Sequence, residues 1–198
     1  MRDGALDMRM DTTRGSSAAE FIATASEETI ADVLYRLGEE RFSRRIARFI
    51  VEARAKEPIT RTLQLADIIT RGNPKWEKHK HAATRSFLAL RLHVNNELGD
   101  LEAVLLQAVD VLAPAGRLSV ISFHSLEDRI VKLFMRREAK GDPLPKDLPI
   151  RHSEIHTRLK LIGKAIMPPD AEVADNARAR SAVLRIAERV AEKVGRVA

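Results

Sequence analysis

The sequence predicts an α/β fold, an incomplete sheet joined to a small bundle of helices, on three observations. The run Leu118 to Phe123 is apolar and β-branched, and it breaks into the polar cluster His124-Ser125-Leu126-Glu127-Asp128. Such a run reads as a strand covered on both faces, of the kind found in parallel sheets. Between Ser16 and Arg71, apolar residues recur at helical spacing in short blocks. Leu159 to Ile166 and Ser181 to Ala187 read as strands with no room for a crossover helix between them, so an antiparallel pair is expected.

Residues 1–15 carry three aspartates, three arginines and two glycines with no period, and read as a loop. Ser26 caps a helix whose first turn holds Glu27 and Glu28, which suits the positive end of the helix dipole. Ile30, Val33, Leu34 and Leu37 form its stripe, and Gly38 is expected to end it. A second helix, about Glu39 to Ala55, buries Phe42, Ile46, Phe49, Ile50 and Ala53 and turns Arg41, Arg44, Arg45 and Arg48 outward. A third follows Thr60 or Thr62, with Leu63, Ala66 and Ile69 inward, and ends near Arg71-Gly72. Residues 72–83 are a loop in which Trp76 either stacks on a base or packs against the bundle.

Thr84 to Leu112 reads as one long helix or two collinear ones, with Gly99 as the place for a bend. After the central strand, Ser125 with Asp128 makes a capping-box pattern, starting a helix that runs to about Lys140. Ile130, Val131, Leu133 and Phe134 are its apolar residues, and Met8, Met10 and Met135 read as packing. Residues 141–158, with three prolines, read as a surface loop.

The 198 residues carry a formal net charge of +6 and no cysteine. Thirteen Lys and Arg stand against four acids between Arg41 and Arg91. Such a field favours a polyanion such as nucleic acid, although a solvated helical surface produces the same count. No stretch is long and apolar enough to span a membrane and the first residues are not a signal peptide, so a soluble, cytoplasmic protein without a membrane partner is expected. No metal site is expected, because a chain without cysteine has no Cys-x-x-Cys to complete a zinc-deaminase set. The chain also supplies no thiol nucleophile for cytosine C5 chemistry.

Four segments carry a resemblance: Asp7-Met-Arg-Met-Asp11, His81-Ala-Ala-Thr-Arg-Ser-Phe87, Ile121-Ser-Phe-His-Ser-Leu-Glu-Asp-Arg129 and Asn176-Ala-Arg-Ala-Arg-Ser-Ala182. In this order and spacing the chain resembles the ribosomal RNA small-subunit methyltransferase H family, from Met1 to about Arg189. The resemblance implies transfer of a methyl group from S-adenosylmethionine to the exocyclic N4 of a cytosine in 16S rRNA, at the decoding centre. Its implied partner is the small ribosomal subunit. The implied fold is a partial class I (Rossmann-like) methyltransferase sheet with an inserted helical bundle domain. Residues 1–15 would be a loop of the methyltransferase domain, 16–93 the inserted RNA-recognition domain, and 94–198 the C-terminal part of the methyltransferase domain.

Members of that family begin with a strand and a glycine-rich loop that grips the cofactor, and no such element stands in this sequence. The cofactor contacts are therefore expected upstream of Met1, the chain being the C-terminal two-thirds of such an enzyme. Ala5 stands where the family tends to have proline, and Ala115 in place of a second glycine. A sheet short of strands exposes an edge, which predicts self-association and is compatible with a homodimer. The alternative reading is a non-catalytic RNA-binding fragment.

The candidate catalytic residues are His124, Ser125, Glu127 and Asp128. His124 and Ser125 end the central strand and either face the substrate or serve as cap and loop. Glu127 and Asp128 either accept hydrogen bonds from a base amine or are ordinary first-turn acids. The candidate RNA-binding residues are Asp7, Arg9, Asp11, Arg44, Arg48, His81, Arg85, Asn176, Arg178 and Arg180. Asp7, Arg9 and Asp11 pair among themselves or shape the rim of the site. Arg85, near His81, touches phosphate or joins a hydrogen-bond cluster at a helix start. Asn176, Arg178 and Arg180 precede the last strand, where arginine suits bidentate phosphate contact.

Overall fold

The computed structural model describes residues 2–75, 81–141 and 157–191. Trp76 and nearly all of the proline-rich loop expected over 141–158 lie outside them. The chain divides into two units, Met1–Glu97 and Leu98–Ala198.

The first unit holds helices α1 (Ala18–Thr24), α2 (Glu27–Gly38), α3 (Ser43–Arg54), α4 (Thr62–Gly72) and α5 (Thr84–Val94). Ser17 and Glu20 form a capping box at the start of α1, and the Ser26 hydroxyl accepts from Thr29 N at 3.1 Å to start α2. Ile22, Ile30, Leu34, Ile46, Ile50, Leu65, Ile69 and Leu90 are fully enclosed together. Each such side chain contributes about 1.5–3 kcal/mol on leaving water.

Gly38 does not end α2 by adopting the left-handed conformation. It is the last helical residue, and Glu39 takes that conformation instead, with φ 50°. A Cβ on Gly38 would stand 2.7 Å from the Arg85 carbonyl oxygen, so the glycine is there for close approach to α5. The turn that follows uses residues 39–42, which is why α3 begins at Ser43 rather than near Glu39. Leu63 is 40% exposed, while Leu65, Ala66, Ile68 and Ile69 point inward. The reason is the face of α4 turned to the core, which runs through 65, 66, 68, 69 and 72, where a Cβ on Gly72 would come within 3.0 Å of Ile46 Cα; Leu63 lies on the opposite side.

Residues 2–15 are tied to this unit. Leu6 is buried, its N–H donates to Thr60 O, and the Leu6 and Asp7 carbonyls accept from Ala19 and Ala18. Met8 packs on the core, but Met10 is 73% exposed, contrary to its expected packing role. The stretch expected to bend at Gly99 breaks earlier, at Asn95-Asn96, where Asn96 adopts φ 51°. Asparagine tolerates that region better than most residues, and Gly99 lies inside the next helix.

The second unit comprises α6 (Glu97–Val111), of which Glu97 itself counts with the first unit, then β1 (Arg117–Ser122), α7 (Ser125–Lys140), β2 (Leu159–Leu161), α8 (Asp170–Asp175), a 3-10 helix over Ala177–Ser181, and β3 (Val183–Arg189). Among the described residues the strands form one sheet in the order β1-β3-β2, with both pairings antiparallel. The β2–β3 pair is the antiparallel one expected. β1 is not the doubly covered strand of a parallel sheet: its side chains alternate, and Ile121 is 58% exposed. Leu118 and Val120 point instead to a core of Leu105, Val109, Val131, Phe134, Met135, Leu159 and Ala187. Leu133 is exposed because the face of α7 turned to the core passes through 131, 134, 135 and 138, one step away from it.

Before β1, Ala115 holds φ 64°, a left-handed position that costs a non-glycine residue about 1 kcal/mol. β2 also ends sooner than expected. Gly163, with φ 67°, swings the chain out, and Ile166 returns to pair with Leu184. The segment Gly163-Lys164-Ala165 is thus an outward bulge on the edge of the sheet.

Candidate functional site

At the carboxyl end of β1 the polar cluster folds into a closed lock. His124 is extended (φ −143°) and caps α7, its Nδ1 accepting from Glu127 N at 3.4 Å. Glu127 returns the bond: its Oε2 accepts from Phe123 N at 2.9 Å and from His124 N at 3.3 Å. Its Oε1 lies 3.2 Å from His124 Nε2, a nitrogen buried without a hydrogen bond of good geometry. The His124 side chain is only 14% exposed. With Nδ1 accepting, the ring's donor nitrogen is Nε2, beside the carboxylate.

The capping pair is therefore His124 with Glu127, where the sequence suggested Ser125 with Asp128. Histidine reaches the N3 amide because its ring spans the same gap as a shorter cap. Ser125 becomes the exposed first residue of α7. Asp128 turns to β3, where Arg185 grips it with Nε at 2.6 Å and Nη2 at 2.9 Å.

Burial raises the Glu127 pKa, but hydrogen bonds from His124 and the Phe123 amide outweigh it and hold the group below its ordinary range. The Arg185 fork lowers Asp128 likewise against partial burial, and is itself raised by the carboxylate. Both acids are ionised at neutral pH, so neither arrives as a proton donor. Because Glu127 occupies the Phe123 and His124 amides, Glu127→Ala leaves them without that acceptor. It is expected to cost about 1–2 kcal/mol, with the loss of amide exchange protection centred on the first turn of α7.

In the first unit Asp7 and Arg9 come together, with Nε on Oδ1 at 2.7 Å and Nη2 on Oδ2 at 2.9 Å, and Arg9 Nη1 donates to Gly15 O. That bond holds Asp7 below its usual pKa. Asp11 folds back on Thr13, whose hydroxyl and amide lower it. Asn95 is a residue that sequence reasoning missed. Its side chain accepts from Met10 N at 2.7 Å and donates to Met8 O at 2.9 Å, pinning the loop that presents these charges. The only signal for it was an asparagine pair inside a helical pattern.

Arg41, Arg44, Arg45 and Arg48 are exposed at the start and along one side of α3. Arg48 approaches Glu52 at 3.6 Å and Arg45 lies over the Phe49 ring. Arg85 is half-buried and donates to Glu39 O at 3.0 Å, closing the α2–α3 turn, while His81 accepts from Ala83 N at the start of α5. In the second unit Asn176 caps the 3-10 helix by accepting from Arg178 N, and Arg178 and Arg180 are exposed.

The one described strand that leads directly into a helix ends at the lock, where Glu127 already takes the Phe123 and His124 amides, so these two donors are not open to S-adenosylmethionine. Among the described residues no group of three His, Cys, Asp or Glu could hold a metal ion, and no helix is long and apolar enough to cross a membrane.

The chain is similar to proteins named ribosomal RNA small subunit methyltransferase H. It is 58% identical to that of Marinomonas sp. (strain MWYL1) over 97% of this chain and 62% of the relative. It is 56% identical to that of Chromohalobacter salexigens over 96% and 58%, and 55% identical to that of Legionella pneumophila (strain Paris) over 96% and 62%. It thus spans about three fifths of the length of these curated relatives. The family model that matches, over residues 1–190, is that of the MraW methylases. With that match running through the Asp7–Arg9 loop, the arginines of α3 and the His124–Glu127 lock, the chain belongs to the MraW methylase family.

Proposed function

We propose that the chain takes part in S-adenosylmethionine-dependent methylation of the exocyclic N4 of a cytosine in 16S rRNA, at the decoding centre of the small ribosomal subunit in the cytoplasm. The observation that carries the reading is 55–58% identity, over nearly the whole chain, to relatives bearing the rRNA methyltransferase name. Methylation of an amino nitrogen asks for little acid–base power. The amine must be held in line with the methyl group and its proton must find an acceptor, so positioning dominates.

In this reading the end of β1 is the catalytic end of its unit. His124 and Glu127 hold the turn rigid, Asp128 anchors α7 to β3, and Ser125 is the exposed side chain that a base can reach. Asp7, Arg9 and Asp11 form a charged, pre-paired rim. Arg44, Arg48 and Arg85 with His81 on one unit, and Asn176, Arg178 and Arg180 on the other, supply cations and polar groups for the RNA backbone. S-adenosylmethionine supplies the methyl group when bound.

The test combines the protein, small ribosomal subunits and S-adenosylmethionine carrying a tritiated methyl group, followed by nucleoside chromatography of the digested 16S rRNA. Label in N4-methylcytidine is expected; label in 5-methylcytidine or in another base overturns the assignment. A second reading, a non-catalytic RNA-binding fragment, is favoured by Glu127 taking the Phe123 and His124 amides at the end of β1. Isothermal titration separates the two: RNA binding with no heat from S-adenosylmethionine leaves only the second for this chain.

A further inference from the structure

The second unit carries a cleft that the methyl-transfer reading does not use. It lies between α7 and the bulge on the sheet edge, and has a volume of about 220 Å³. Four cations line it from three separate elements: Lys132 and Arg136 from α7, Lys164 from the bulge, and Arg185 from β3. Gly163 makes the bulge possible, since its φ of 67° turns the strand outward and brings Lys164 onto the cleft wall.

Among the described residues no carboxylate lines the cleft. The nearest compensation is Asp128, which takes Nε and Nη2 of the Arg185 fork and also feels the charge of Lys132. One carboxylate thus stands against four cations. Arginine offers five donors, of which the fork spends two on Asp128. A solvated helix spreads its cations toward water, whereas here an edge bulge and a helix turn theirs on one concavity. Like charges gathered in this way repel unless an anion joins them.

We propose that this cleft is a phosphodiester subsite, in which Lys132, Arg136 and Lys164, with Arg185 held behind them by Asp128, take a backbone phosphate of single-stranded RNA. The inference rests on the RNA-directed reading above and extends it to a surface outside the end of β1. A phosphate neutralised in the cleft releases its condensed counterion, so the contact is legible in the salt dependence of binding.

The test uses fluorescence anisotropy with fluorescein-labelled oligocytidylate and the full 198-residue chain, across a salt series. The Lys132→Gln/Arg136→Gln/Lys164→Gln variant is expected to make the slope of log K against log salt shallower by about 0.7, the share of one phosphate, and to bind roughly tenfold more weakly at low salt. Lys132→Gln and Lys164→Gln should each lose a part of that slope. All three positions are on the surface rim, Arg185 is left in place, and unchanged circular dichroism checks the fold. Unchanged slope and affinity in these variants overturn the subsite, and so does failure of the parent chain to bind the oligonucleotide. Methyl transfer is read separately on ribosomal subunits. N4-methylcytidine formed with an unaltered salt slope sinks the cleft alone, and a shallower slope without that product sinks the reaction alone.

Discussion

Gly38→Val is expected to destabilise the first unit by about 2–3 kcal/mol, because the new Cβ must occupy space 2.7 Å from the Arg85 carbonyl oxygen. Two effects oppose each other. Glycine is a poor helix residue, so valine recovers a few tenths of a kcal/mol and alanine about 1. The clash is with main-chain oxygen, which cannot rotate away as a side-chain tip would, and Ala89 Cβ closes the other side at 3.1 Å. Relief requires α2 and α5 to separate, which opens the packing around Leu34 and Leu90, both fully buried. The clash wins, and stability should fall in the order Gly, Ala, Val. Native-state hydrogen exchange checks it: amides of α2 and α5 should lose protection by about a hundredfold in Gly38→Val. Protection equal to the parent would show that α2 and α5 do not meet in backbone contact at Gly38.

Asp128→Asn is expected to cost the second unit about 2 kcal/mol at neutral pH, since it removes the charge from a two-pronged pair whose members are each about one-fifth exposed. Asparagine keeps the shape and loses the carboxylate, leaving the Arg185 guanidinium partly buried against a neutral partner. The pH dependence has a definite sign. The folded state holds the Asp128 pKa below its unfolded value, so unfolding takes up a proton in acid. Its stabilising effect is complete above the ordinary carboxylate range, about pH 4, and is lost as pH falls through the lower folded value. Parent and variant should therefore differ most at neutral pH and converge in acid. Asp3, Asp7, Asp11 and Glu20 are also lowered, but they are common to both proteins and cancel in the difference. Urea midpoints followed across pH measure the gap, and a gap that stays constant into acid would show that Asp128 carries no linked proton.

Local signals were legible where one residue type answers one local need. Ser26 at the head of α2 and the 3.6-residue stripe through Ile30 and Leu34 need only near neighbours to be read, and the antiparallel pair of β2 and β3 only the lack of room for a crossover helix between two strands. The same holds for Asp7 and Arg9, two residues apart and bonded to each other. Signals failed where the cause lies far away in sequence. Nothing near Gly38 announces the carbonyl of Arg85, and nothing near Ser125 announces that His124 takes the cap because Asp128 is engaged by Arg185, 57 residues on.

The sequence alone determined an α/β chain with a basic helical part, a β-branched run ending in a polar turn, and motifs specific enough to name its family. The first two follow from composition and periodicity and the family from the resemblance of its motifs, all of which the chain carries whether folded or not. Tertiary structure decided which acid locks the turn, which face of β1 stays uncovered, and that Lys132, Arg136 and Lys164 share one cleft with Arg185. Such facts depend on the register of a strand and the exit angle of a bulge. Both are settled only when elements separated along the chain compete for the same space.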